Sequence, residues 1–189
     1  ANCGGEIDSQ GSISLKDGND ICLACLDKAP SLFNPEYCNL DDYKASFNQQ
    51  LKSKSLYEQY FLRNKNSKVI VKSSFNCKYE INTSASLFAV TTKVGSFLNR
   101  HSESFVFDIS DIDSIETCKV APNEETMCIK MVMKDFVGIS QFKMDCDKYV
   151  FEKVSRELNK AKGITGVRGI KTAFASTKIH DALAIDQHE

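Results

Sequence analysis

Hydrophobic and polar positions change period along this chain. Residues 31–64 read as helical, because Leu40, Tyr43, Phe47 and Leu51 recur at helical spacing and Leu56, Tyr57, Tyr60 and Phe61 extend the stripe. Asn39 or Asp41 fits the N-cap, and Ser53-Lys54-Ser55 is where a break or kink is expected. From residue 68 the period falls to two. Val69–Val71, Tyr79–Ile81, Leu87–Val90, Phe105–Phe107, Ile115–Val120, Met127–Met133 and Ile139–Met144 predict seven short strands with turn signals between most of them. Asp147 then caps a closing helix whose apolar residues Val150, Val154, Leu158 and Ala161 line one side, and Gly163 ends it. The fold class predicted is α+β.

The first 30 residues follow a different plan. Ser12-Ile13-Ser14-Leu15 alternates like a half-buried strand, and Asp17-Gly18 supplies a hairpin turn. Ile21 runs into Cys22, and Cys22-x-x-Cys25 suits the first turn of a short helix that Pro30 ends. With Cys3 at the other end of the hairpin, the segment reads as a small metal-binding finger. So short a unit buries too little apolar surface to fold by itself, so a bound zinc would act as its core. The predicted organisation is a finger over 1–30, a helical connector over 31–67, a β-rich unit with its helix over 68–162, and a flexible tail over 163–189. Gly163, Gly166 and Gly169 recur in that tail without the flanking strand and helix that a phosphate loop needs.

Seven antiparallel strands followed by one amphipathic helix is the order of a pleckstrin-homology-like (PH-like) barrel, in which the helix plugs one open end. The run Phe107-Asp108-Ile109-Ser110-Asp111-Ile112-Asp113-Ser114-Ile115 resembles the corner between two strands in bacterial PH-like domains. The stretch Cys3-Gly4-Gly5-Glu6-Ile7, then Asp17-Gly18, then Ile21-Cys22-Leu23-Ala24-Cys25, resembles the zinc ribbon of uncharacterised bacterial and phage proteins, where it precedes a PH-like domain. The resemblance covers residues 1–30 and extends weakly over the PH-like part. It implies a treble-clef-like zinc finger with Cys3, Cys22 and Cys25 as ligands. The fourth ligand stays open among a cysteine preceding Ala1, Cys38 and none.

Composition narrows the function classes. The chain has 189 residues, with 24 Lys and Arg against 25 Asp and Glu. The near-zero net charge neither recruits nor repels nucleic acid as a whole. No apolar run approaches the ~20 residues that span a bilayer. Charge is nevertheless split. Residues 44–72 carry seven Lys or Arg against one Glu, whereas residues 101–147 carry ten acids against four bases. The finger carries five acids against two bases, which disfavours DNA binding through it. The eight cysteines are expected to be reduced, in a cytoplasmic setting, because a chain of this length has a core and needs no disulfide staples.

No catalytic constellation stands out. His101, His180 and His188 lie far apart and read as surface residues, and Asp108, Asp111 and Asp113 read as a solvated corner. The expectation is a non-enzymatic interaction or scaffold protein with structural zinc, which engages a protein partner or a second copy of itself. The first alternative is a membrane-surface or nucleic-acid adaptor using the basic segment 44–72. The second is a thiol-redox protein built on Cys22-x-x-Cys25, against which the strand-rich remainder argues.

Overall fold

The structure, a computed structural model, describes residues 11–63, 68–72, 77–95, 99–119, 127–134, 138–164 and 171–173. Its first element is the expected hairpin, β1 (Ser12–Ser14) against β2 (Asp20–Cys22), with Ile13 opposite Ile21. Gly18 takes the turn at φ 79°, a conformation open to glycine at no steric cost. A single helical turn, α1 (Leu23–Leu26), follows.

The long helix α2 (Leu40–Tyr57) starts one residue after Asn39. The Asn39 side chain accepts the Asp42 amide at 2.8 Å while the Asp42 carboxylate accepts the Asn39 amide at 2.9 Å, a reciprocal capping box. Helix continues through Ser53-Lys54-Ser55 without the expected break, and the irregularity comes later, as one π-helical turn over Glu58–Leu62. Of the expected stripe, Leu40, Tyr43, Phe47, Leu56, Tyr57, Tyr60 and Phe61 pack into the smaller clusters, and Leu51 does not. Tyr43, Ser46 and Ser53 are buried, whereas Leu51 is 70% exposed. Small serines let the helix backbone approach the sheet closely, and a stripe read from apolar residues alone cannot see them.

Two four-stranded sheets form the body. In the first, β3 (Lys68–Lys72), β4 (Lys78–Asn82), β5 (Leu87–Val94) and β6 (His101–Asp108) make an antiparallel meander. A 3-10 turn over Ile109–Asp111 leads into β7 (Ile112–Lys119). The second sheet adds β8 (Met127–Met133) and β9 (Gln141–Cys146) to β7, antiparallel throughout. Helix α3 (Lys148–Ile164) follows, with the Asp147 carboxylate accepting the Val150 amide at 2.8 Å as its cap. A short strand, β10 (Lys171–Ala173), pairs parallel to β7.

Two expectations are corrected here. The two sheets are not joined by strand pairing and do not close into a barrel. Helix α2 lies along β6, and β10 takes the outer edge of β7. Second, the tail expected to be flexible from residue 163 contributes that strand; residues 165–170 and 174–189 lie outside the described residues.

The main core lies between the sheets and α3. Tyr79, Phe88, Phe105, Phe107, Ile115 and Phe142 fill it, and Val150, Val154, Leu158 and Ala161 on α3 are all buried, as their spacing predicts. Phe107 stacks on Phe142 with ring centroids 5.4 Å apart, which ties β6 to β9. The hairpin has a second, smaller core of Leu15, Ile21, Phe33, Cys38 and Tyr43. Tyr43 meets Phe33 and Phe47 edge-on at 5.4 and 5.2 Å, and its hydroxyl donates to the Cys25 carbonyl at 3.0 Å. The first turns of α2 therefore supply apolar surface that the hairpin lacks.

Candidate functional site

The thiol end of the hairpin was singled out by sequence. Cys22 closes β2 and Cys25 sits in α1, both half-buried. Ser12 pairs with Cys22, and the Leu23 amide donates to the Gly11 carbonyl at 2.8 Å. Gly11 therefore lies beside the Cys22–Leu23 end of β2. Cys3 lies outside the described residues. Among the described residues, no group of three or more His, Cys, Asp or Glu side chains is placed to hold a metal. Cys38 is fully buried, and burial pushes its thiol above the ordinary cysteine range, with Asp42 adding to the rise. Its hydrogen-bonding neighbours are Asn34 and Ser140, so Cys38 behaves as a small core residue.

A second place emerges from the packing of α2. On one side of this helix Ala45, Asn48, Gln49, Lys52 and Leu56 form a wall. Opposite stand Leu87, Val106 and Met133 as an apolar floor, with Asp108 and Asp111 on the rim, and the open cleft between them measures about 510 Å³. A further cavity of about 420 Å³ lies between Leu56, Tyr60, Asn82 and Leu87. Leu56 and Leu87 line both, so the two cavities make one groove along the helix.

Polar contacts fix the groove's walls. The Val106 amide donates to Ser53 Oγ at 3.0 Å, and the Ile139 amide donates to Gln49 Oε1 at 2.9 Å. The first holds α2 against β6, and the second holds it near the start of β9. At the other end, the π turn covers the polar face of β4. Lys78, Glu80 and Asn82 alternate onto that face, and Glu80 and Asn82 are almost fully buried. The Tyr57 hydroxyl donates to Glu80 Oε2 at 2.5 Å, and Lys78 Nζ lies 2.8 Å from the same oxygen. Asn82 Nδ2 donates to the Tyr60 carbonyl at 2.9 Å. Burial alone would lower the Lys78 ammonium, but its hydrogen bonds to Glu80 and Tyr57 outweigh that and hold it above the usual lysine range.

The acidic corner is built as a turn. Asp108 Oδ1 accepts the Ser110 amide at 2.8 Å, and the Asp111 carbonyl accepts the Lys134 amide at 2.6 Å. Both aspartates are exposed, whereas Asp113 is half-buried. Beneath the corner, Lys162 from α3 is fully buried and donates to the Ile112 carbonyl. Burial lowers its ammonium below the ordinary lysine range, and nearby Lys134 lowers it further, against opposition from Asp113, Asp111 and Asp108. His101 is exposed, 3.4 Å from Glu103; His180 and His188 lie outside the described residues. On α2, Lys44, Lys52 and Lys54 are exposed, and Lys44 lies 3.6 Å from Asp41.

The groove, the buried Glu80 and the buried Lys162 were not found from the sequence. A signal existed for the first: positions 45, 48, 49, 52 and 56 recur at helical spacing. They are small, amide or mixed residues, so the stripe carries no apolar signature. Comparison with family models, with curated proteins and with solved structures finds no match for this chain.

Proposed function

We propose that this chain is a non-enzymatic protein-interaction module in which a zinc finger precedes a PH-like domain and the groove beside α2 receives a protein partner. The observation that carries the reading is the pair of cavities sharing Leu56 and Leu87, which gives α2 a long, partly apolar flank facing solvent. Hydrogen bonds at Ser53 and Gln49 fix the helix that forms its wall to the sheets.

The PH-like reading rests on element order: a four-strand meander, a corner, a three-strand meander and a helix. The zinc reading rests on Cys22 and Cys25, with Cys3 as the further ligand. Cys22 and Cys25 stand three positions apart at the end of β2, a spacing that suits one pair of ligands of a tetrahedral site. Zinc there would supply fold stability to the hairpin and no chemistry. A cytoplasmic setting fits thiolate ligands, which oxidation would remove.

Photo-cross-linking tests the reading. A benzophenone amino acid replaces Asn48 on the groove wall, and in a second protein replaces Lys148, which is exposed on α3. In cells the groove position should give a discrete protein adduct that the α3 position lacks. Adducts only to nucleic acid or lipid, or equal protein adducts from both positions, would contradict it.

A further inference from the structure

We infer that the groove beside α2 takes an extended peptide segment of about six residues in which apolar side chains alternate with Lys or Arg, the basic groups facing Asp108 and Asp111. This rests on the interaction reading above and names the partner's chemistry.

Shape comes first. The wall runs from Ala45 to Tyr60, and at 1.5 Å per helical residue that is roughly 22 Å. An extended chain rises about 3.3 Å per residue, so the wall matches roughly six or seven residues. The two cavities share Leu56 and Leu87 and follow α2, an elongated shape that suits an extended segment.

Charge then selects the polymer. Asp108 and Asp111 are both exposed on the rim, and among the described residues no lysine or arginine lies within ion-pair distance of either carboxylate. Phosphodiesters and anionic headgroups would meet these two exposed carboxylates first, with Lys52 on the opposite wall and Lys134 and the buried Lys162 near the corner as the cations. A guanidinium or ammonium is instead attracted, and a guanidinium can use both oxygens of a carboxylate.

The floor supplies affinity. Leu56, Leu87, Val106 and Met133 offer apolar contact to every second side chain of an extended segment. Asn48 on the wall carries both a donor and an acceptor suited to peptide backbone. The rim carboxylates, being solvated, set selectivity and encounter rate more than binding strength.

The test uses the full zinc-loaded chain and the blocked hexapeptide Ala-Leu-Arg-Leu-Lys-Ala, with Ala-Leu-Asp-Leu-Glu-Ala as its acidic counterpart. Methyl resonances of Leu56, Leu87, Val106 and Met133 report the site. The basic peptide should shift these signals and the acidic one should not. The double variant Asp108→Asn with Asp111→Lys keeps an oxygen for the Ser110 amide and reverses the rim. It should lose about tenfold in affinity for the basic peptide, equivalent to about 1.4 kcal/mol, and gain binding of the acidic one. Methyls silent to the basic peptide, or a double variant with unchanged preference, would overturn the proposal. Larger shifts with a short oligothymidylate or with phosphatidylserine vesicles would overturn it equally. A protein adduct from the Asn48 position alongside an indifferent double variant would remove only this partner class; loss of that adduct would remove the interaction reading itself.

Discussion

Ser53 Oγ accepts the buried amide of Val106 at 3.0 Å, joining the middle of α2 to strand β6 across 53 positions of sequence. Val106 lies on the strand at the edge of its sheet, and an amide buried there without an acceptor costs the desolvation of that group. Ser53→Ala is expected to destabilise the protein by about 1–3 kcal/mol. Hydrogen exchange should then accelerate at Val106 more than in the interior strands β4 and β5. An unchanged denaturation midpoint would mean that the helix is not held by this contact.

The packing of α3 onto the core has a direct test in Leu158, which is fully buried there. Leu158→Ala is expected to cost ~2–5 kcal/mol through the cavity it leaves. Chemical denaturation measures it. An effect below that range would place the helix on the surface of the domain instead.

Lys162 gives a pH dependence of defined sign. Its folded-state ammonium is held below the ordinary lysine value of 10.5, first by burial and then by Lys134, while Asp113, Asp111 and Asp108 oppose the shift. Between the folded and unfolded values the unfolded chain binds more protons, so stability rises with pH in that window and the full penalty applies below it. Relative to Lys162→Met, the parent protein should gain stability as pH increases toward 10.5. The difference between the two proteins, followed by denaturant titration at several alkaline pH values, isolates this group. A flat or falling difference would contradict the burial argument.

For the finger, Cys22→Ser should release zinc and raise amide exchange over residues 11–30, with β4 and β5 unaffected. Cys38→Ala should leave the zinc content unchanged, because Cys38 is buried near Asn34, Ser140 and Asp42. Elemental analysis of both variants decides the matter. Protein that holds no metal yet keeps an ordered hairpin would remove zinc from the account.

Much of the architecture was legible because its signals are local. Alternation located strands β3 to β9, the Asp17-Gly18 turn set the hairpin, and Asn39 and Asp147 marked helix starts through their own side-chain chemistry. What stayed hidden depends on contacts between distant segments. Leu51 fits a helical stripe yet is exposed, because α2 is joined to β6 through Ser53. The polar face of β4, with Lys78, Glu80 and Asn82, is covered by the π turn bearing Tyr57 and Tyr60, a contact between distant segments. Pairing of β10 with β7 spans more than 50 residues and has only Lys171–Ala173 to announce it. The groove was invisible for the same reason, since its two walls meet only in the folded chain.

The most direct measurement of the interaction claim is amide hydrogen exchange of the intact chain, alone and with the partner captured at the groove. Slowing should concentrate in residues 45–60, 84–87 and 106–111, the segments that border the two cavities. Slowing confined to the outer face of α3 or to β9, with those segments unchanged, would contradict the account.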